Sequence, residues 1–170
     1  NRKCLKIYLT EESKKSLNRE NQSSNLLKNV QVLFKSKKEL DNLTGNNDTS
    51  HQGLVLEIEN SNDLSIKEYL INNNQKNMNL IVLDSVTDPR NIGSIVRTAT
   101  AFELDGIVVK DRSFPDKSKL MFKSASGGME HINIFKVSNI NTTLKYLKSK
   151  NFWVSAFDVN GKKDFKDNNW

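Results

Sequence analysis

Three residues of this 170-residue chain combine type and spacing in a way that suits chemistry: Asn91, Gly93 and Arg97. They lie in the run Asp84-Ser-Val-Thr-Asp-Pro-Arg-Asn-Ile-Gly-Ser-Ile-Val-Arg97. Arginine is a permanent cation with a fork of N–H donors. A glycine four residues earlier on a helix leaves a gap on the same face. Helical side chains lean towards the N-terminus, so Arg97 is expected to lie back over Gly93. That places a cation at the helix mouth, beside backbone N–H groups with no intrahelical partner. Asn91 stands where an N-cap side chain is favoured. A mouth of this kind suits a phosphate or a developing oxyanion. Plainer readings stay open beside it. Arg97 could be a surface arginine paired with Asp88 or Glu103, and Gly93 a packing glycine.

The positioning elements follow from local pattern. Leu80–Leu83 is an unbroken apolar run, expected as a strand covered on both faces. Pro89 pushes Asp88 towards an extended backbone, so a helix is expected to start after that pair. Ile92, Ile95, Val96, Ala99 and Phe102 fall on one helical face. Further strands are expected at Gly106–Val109, Ile132–Val137 and Phe152–Phe157, with an amphipathic helix over Asn139–Lys148. Phe152, Trp153 and Phe157 read as core, because they lie in a buried strand pattern. The result is an α/β fold: a mostly parallel sheet with helices on both faces. The loops Asp84–Asn91, Lys110–Asp116 and Asp158–Gly161 are expected on one rim, beyond the carboxyl ends of the strands.

The first part alternates strand and helix as well. Strands are expected at Cys4–Leu9, Val30–Phe34 and His51–Ile58. Capping boxes are expected at Ser36/Glu39 and Ser65/Glu68. The expected division is a small α/β domain over 1–59, a linker and short helix over 60–79 with Asn60–Asp63 as connector, and the parallel-sheet domain over 80–170.

Composition narrows the classes. Net charge is +6, with ten basic against eight acidic residues in 1–59 and sixteen against twelve in the rest. This mild, distributed basicity fits an RNA partner and equally a solvated basic surface. Lys110, Arg112, Lys117, Lys119 and Lys123 form the most basic local segment. Cys4 is the single cysteine, so no internal disulfide can form and no zinc-type cluster or other metal site is expected. No apolar run is long enough to span a bilayer, and no membrane partner is expected. His51 and His131 are isolated and read as structural or surface histidines.

Leu83-Asp-Ser-Val-Thr-Asp-Pro-Arg-Asn-Ile-Gly-Ser-Ile-Val-Arg-Thr-Ala-Thr-Ala-Phe102 resembles the first signature motif of the SpoU/TrmH branch of the SPOUT RNA methyltransferases. His51-Gln-Gly-Leu-Val resembles the segment closing that family's small N-terminal substrate-binding domain. Lys123-Ser-Ala-Ser-Gly-Gly-Met-Glu-His131 and Phe152-Trp-Val-Ser-Ala-Phe-Asp-Val-Asn-Gly161 resemble the family's following segments. The similarity covers residues 51–161 clearly and 1–50 more loosely. It is closest to the ribosomal RNA ribose methylases. The family's later Gly-Glu-Gly and Ser-Leu-Asn motifs, which build its trefoil knot and cofactor pocket, are not matched before Trp170. The chain is therefore expected to be a fragment without the knot region.

The resemblance implies an N-terminal RNA-binding domain and transfer of a methyl group from S-adenosylmethionine to a ribose 2′-hydroxyl of RNA, ribosomal rather than transfer RNA. It implies Arg97 and Asn91 as catalytic residues, with Asn91 orienting Arg97. Arg90, Gly93, Lys110, Arg112, Lys123 and Glu130 are expected at the RNA, with cofactor contacts near Phe157 and Asp158. A homodimer is expected for the complete protein, in the cytoplasm or alternatively the mitochondrial matrix. The competing readings are a non-catalytic RNA-binding paralogue or inactive fragment, and a phosphate-binding regulatory domain resting on the helix mouth alone.

Overall fold

The computed structural model describes residues 3–19, 30–45, 51–59, 64–73, 77–116, 118–161 and 164–167. Two three-stranded sheets organise them. In the first, β1 (Cys4–Leu9) lies between β2 (Gln31–Phe34), to which it is parallel, and β3 (Leu54–Ile58), to which it is antiparallel. Ile7 stands opposite Val32 and Leu56, and Leu9 opposite Phe34 and Leu54. One-in-two alternation therefore gathers these apolar residues on one face, where Ile7 and Leu9 are buried. The other face carries Lys6, Tyr8 and Glu57. The Tyr8 hydroxyl donates to Glu57 Oε2 at 2.6 Å. That bond raises the Tyr8 pKa and lowers the Glu57 pKa.

Among the described residues this unit has two helices, α1 (Glu11–Arg19) and α2 (Lys37–Thr44). The expected capping box at the start of α2 is complete. Glu39 N–H donates to Ser36 Oγ, and Ser36 N–H donates to Glu39 Oε2 at 2.8 Å. Gly45 closes the helix at φ 76°, a left-handed backbone that suits glycine. His51 is structural, as its sequence context suggests. Its Nδ1 accepts from Gly53 N–H at 3.0 Å, so Nε2–H donates to Asp41 Oδ1 at 2.9 Å.

The second sheet is parallel throughout, in the order β4 (Leu80–Leu83), β5 (Gly106–Lys110), β6 (Asn133–Val137). Its apolar runs supply two cores. Ile81, Leu83, Ile107, Val109 and Ile134 face one cluster, shared with α4 (Pro89–Ala101) and α5 (Lys119–Ala125). Leu80, Val82, Val108, Phe135 and Val137 face the other, shared with α3 (Ile66–Asn72) and α6 (Ile140–Ser149). An unbroken apolar strand is what two covered faces require, so the α/β reading with helices on both sides holds. The Asn139 side chain caps α6 by accepting from Thr142 N–H at 2.9 Å. Ile140 and Leu147 are buried, and Leu144 packs against the cluster that holds Leu147, as the helical spacing predicts.

Expectations for three stretches are corrected. Phe152–Phe157 is not a strand. Phe152 packs against the second cluster, while Trp153 is 99% and Phe157 70% exposed, so these two are not core residues. An apolar alternation becomes a strand only when a neighbour pairs its backbone. Among the described residues no strand pairs with this segment: β4 and β6 each pair with β5 alone. Ser65 sits at the N-cap of α3 but makes no side-chain cap hydrogen bond, so the second capping box does not form. Phe102 is 76% exposed: it lies one residue past α4, where the helical face has ended. The expected connector Asn60–Asp63 lies outside the described residues.

Candidate functional site

Parallel strands release their loops at one edge, and the loops after β4 and β5 each send an apolar residue into the core there. Val86 and Phe114 pack against the same core cluster. Lys136 at the end of β6 pairs with Asp116 at 3.2 Å, tying β6 to the loop after β5. Asp158–Gly161 follows no strand, so its expected place on this rim has no structural basis. Instead it forms its own turn, with Asp158 Oδ1 accepting from Asn160 N–H at 2.8 Å.

The start of α4 differs from the expectation in a way that changes its chemistry. Asp88, not Asn91, is the N-cap. The proline after Asp88 holds it at an extended backbone, φ −67° and ψ 122°, while Pro89 itself suits the first helical position. Asp88 Oδ1 accepts from Arg90 N–H at 2.8 Å and Asn91 N–H at 2.9 Å. Ile92 N–H donates to Asp88 O at 3.0 Å, and Pro89 has no N–H. The first four positions thus offer no free donor. A carboxylate of the chain occupies the place where an external anion was expected, which removes the basis for a phosphate site at this mouth.

Gly93 is also reassigned. A Cβ there would lie 2.5 Å from Met121 O and 2.6 Å from Ser124 Cβ. The space above Gly93 is filled by α5, so neither Arg97 nor an RNA backbone can use it, and the glycine serves close helix packing. A second glycine works from the opposite side of the same seam. A Cβ on Gly128 would lie 3.0 Å from Thr100 Oγ1 and 3.3 Å from Arg97 Cα. The Thr100 hydroxyl reaches both Val96 O, at 2.9 Å, and Gly128 O, at 3.2 Å. Backbone therefore meets backbone along α4, and the turn containing Gly128–Glu130 is held against the helix at Arg97.

Arg97 stands eight residues beyond Pro89, about 12 Å along the helix axis, so it is not at the mouth. Its side chain is exposed beside the Gly128 turn. It makes no ion pair with Asp88, Glu103 or any other described residue. Asn91 is exposed near the helix start, and six residues separate it from Arg97. Six residues is a rotation of about 240° and a rise of about 9 Å. The two side chains thus leave different faces of α4, and Asn91 does not orient Arg97 directly.

The remaining sequence-predicted basic residues are all exposed, on separate elements. Arg90 is exposed on the first turn of α4, Lys110 at the end of β5, Arg112 in the turn Asp111–Ser113, and Lys123 on α5. None of these four has an ion-pair partner among the described residues. Glu130 is half-buried in the Gly128 turn, and its N–H donates to Gly127 O at 3.0 Å. Phe157 is exposed, and Asp158 Oδ1 accepts from Asn160 N–H within its own turn. Sequence reasoning missed Asp88, Thr100 and Gly128. The Asp-Pro pair ahead of a periodic apolar run was the available signal for Asp88. Nothing local marks Thr100 or Gly128, whose meaning lies in a contact across 28 residues.

Comparison with known proteins agrees with this architecture. The model of the SpoU rRNA methylase family matches residues 78–170, and that of the RNA 2′-O ribose methyltransferase substrate-binding domain matches residues 1–64. A TrmH family tRNA/rRNA methyltransferase of Staphylococcus aureus (strain COL) is 31% identical over 140 residues, covering 81% of this chain and 54% of the relative. Another, of Bacillus subtilis (strain 168), is 28% identical over 169 residues, covering 98% of this chain and 66% of the relative. The chain thus spans about half the length of the Staphylococcus relative, and two thirds of the Bacillus one. Among solved structures, the AdoMet complex of the SpoU methyltransferase AviRb from Streptomyces viridochromogenes superposes with TM-score 0.69 at 15% identity, over 89% of this chain and 54% of that one. The AdoMet-bound rRNA methyltransferase of Sinorhizobium meliloti gives 0.61 at 19% identity, over 88% and 52%. At these identities the structural likeness speaks for the fold.

Proposed function

We propose that this chain, which belongs to the SpoU rRNA methylase family, handles RNA for transfer of a methyl group from S-adenosylmethionine to a ribose 2′-hydroxyl. The observation that carries the reading is Arg97: exposed, free of any ion pair among the described residues, and anchored at its backbone by the Gly128 contact. A ribose hydroxyl is a poor nucleophile, and its reaction gains from stabilisation of the developing alkoxide. A guanidinium is a poor base but a strong donor to such an oxygen or to an adjacent phosphate. Arg97 donates there, while Arg90, Lys110, Arg112 and Lys123 bind flanking phosphates. S-adenosylmethionine, when bound, supplies the methyl group. The described residues around Phe157 do not enclose it, so no step is assigned to them.

In this reading residues 1–59 bind RNA and 80–170 carry the methylase unit, with 60–79 connecting them. Ribosomal RNA is the proposed target, and a homodimer the proposed assembly of the complete protein. The test is methyl transfer from labelled S-adenosylmethionine to ribosomal RNA by the full-length protein, followed by alkaline hydrolysis, which 2′-O-methylated ribose resists. Arg97→Ala is expected to abolish transfer without changing the fold; undiminished transfer sinks the mechanism. Phe157 is 70% exposed, which a second reading, an RNA-binding protein without methylase activity, also accommodates. Calorimetric titration with S-adenosylmethionine separates the two, since only the first requires binding.

A further inference from the structure

The face of the parallel sheet remote from Arg97 carries a second concentration of positive charge. Lys67 of α3 places its Nζ 5.4 Å from the centroid of the Tyr146 ring on α6. Lys150, at the end of α6, places its Nζ 5.8 Å from the same centroid. Two like charges are thus drawn to one half-buried ring. Lys145 and Lys148 are exposed on α6 as well, and Ile140–Ser149 contains no acidic residue. The one acid on α3 is Glu68, next in sequence to Lys67, and neighbours in sequence do not face each other on a helix. None of the four lysines forms an ion pair among the described residues. Attraction to a ring face offsets part of the repulsion between two ammonium groups. It supplies no counter-charge.

We propose that Lys67 and Lys150, set around Tyr146 and flanked by Lys145 and Lys148, form a second contact surface for the phosphate backbone of RNA. The proposal rests on the reading of this chain as an RNA-handling protein and adds a place on its surface. Phosphates bridging Lys67 and Lys150 provide the missing negative charge. The apolar ring beneath both ammonium groups lines the surface between them, and Tyr146, covered by the lysines, is not a stacking platform for bases. The candidate site around Arg97 lies on the opposite helical layer. An RNA that touches both must pass around an edge of the sheet, so its footprint extends well beyond the nucleotide presented to Arg97.

The test is the salt dependence of binding between the full chain and a fluorescein-labelled RNA hairpin, read by fluorescence anisotropy. Each lost phosphate contact makes the log K against log salt slope shallower by about 0.7 to 0.9. Lys67→Gln combined with Lys150→Gln is expected to make the slope shallower by about 1.4 to 1.8. The Lys67→Arg, Lys150→Arg pair should keep the wild-type slope. Both positions are exposed, and circular dichroism checks that the variants stay folded. Wild-type binding with an unchanged slope in the glutamine pair overturns this surface and leaves the RNA reading intact. No binding by the wild-type chain overturns both.

Discussion

The two faces of the parallel sheet are packed by different means. On the α3/α6 side, side chains fill the space: Phe135 is fully buried, and the Tyr69 ring sits 5.1 Å from it, centroid to centroid. On the α4/α5 side the backbones themselves come together, because Gly93 and Gly128 carry no side chain where the elements meet. Side-chain packing tolerates small shifts, since rings and methyl groups can repack. Backbone packing does not, and it holds position more strictly. The residue proposed to act on RNA, Arg97, projects from the second kind of seam. The difference shows why a stretch rich in chemical suggestion also contains residues whose work is structural.

The largest effect is expected on the side-chain-packed face. Phe135→Ala should cost about 3 to 5 kcal/mol, through lost burial and the cavity left behind. Denaturant unfolding measures it; a loss below about 1 kcal/mol would mean that this face does not depend on ring volume. Gly93→Ala tests the other face and should cost about 1 to 3 kcal/mol by overpacking against Met121 and Ser124. Its midpoint should fall although a helical glycine-to-alanine change ordinarily stabilises. A stabilised Gly93→Ala protein would show that the seam is looser than described.

A smaller loss, about 1 kcal/mol, is expected for Asp88→Ala, which frees two N–H groups at the start of α4, whereas Asp88→Asn should keep most of the cap. Asp88→Ala also reopens the mouth as an anion site, so sulfate should stabilise this variant more than the wild type. Equal stabilisation of both would argue against the carboxylate as the closing group.

The smallest effect concerns the first sheet's unit. The Ser36 backbone N–H and hydroxyl, with Lys35, lower the Glu39 pKa to about 2. The bonded form is the carboxylate, so its contribution is complete above the ordinary pKa of 4.5 and fades as pH falls towards about 2. Comparing unfolding midpoints of wild type and Glu39→Gln between neutral and acid pH should show a gap that closes on acidification. A gap of constant size would remove the capping box from the account.

Much of this could be read from local pattern because the physics is local. The unbroken apolar runs at Leu80–Leu83 and Gly106–Val109 announced strands covered twice. Ser36, Glu39 and Gly45 announced both ends of α2. The same reasoning misplaced Phe152–Phe157, whose alternation matches a strand but whose backbone has no neighbour among the described residues. It also split wrongly at Asp88 and Asn91. Both are good caps, and the choice went to the residue that the following proline already held extended.

By itself, then, the sequence determined the order of most elements up to Ser149, the α/β class, the two-faced character of the parallel strands and the family likeness of Leu83–Phe102. These depend on side-chain polarity, chain stiffness and spacing along a few residues. Only the tertiary structure decided what lies above Gly93, what Thr100 and Gly128 are for, and that the helix mouth is shut while Arg97 stands about two turns beyond it. Each of those answers depends on which distant backbone segment arrives at the surface of α4, and no local pattern encodes the arrival of a partner.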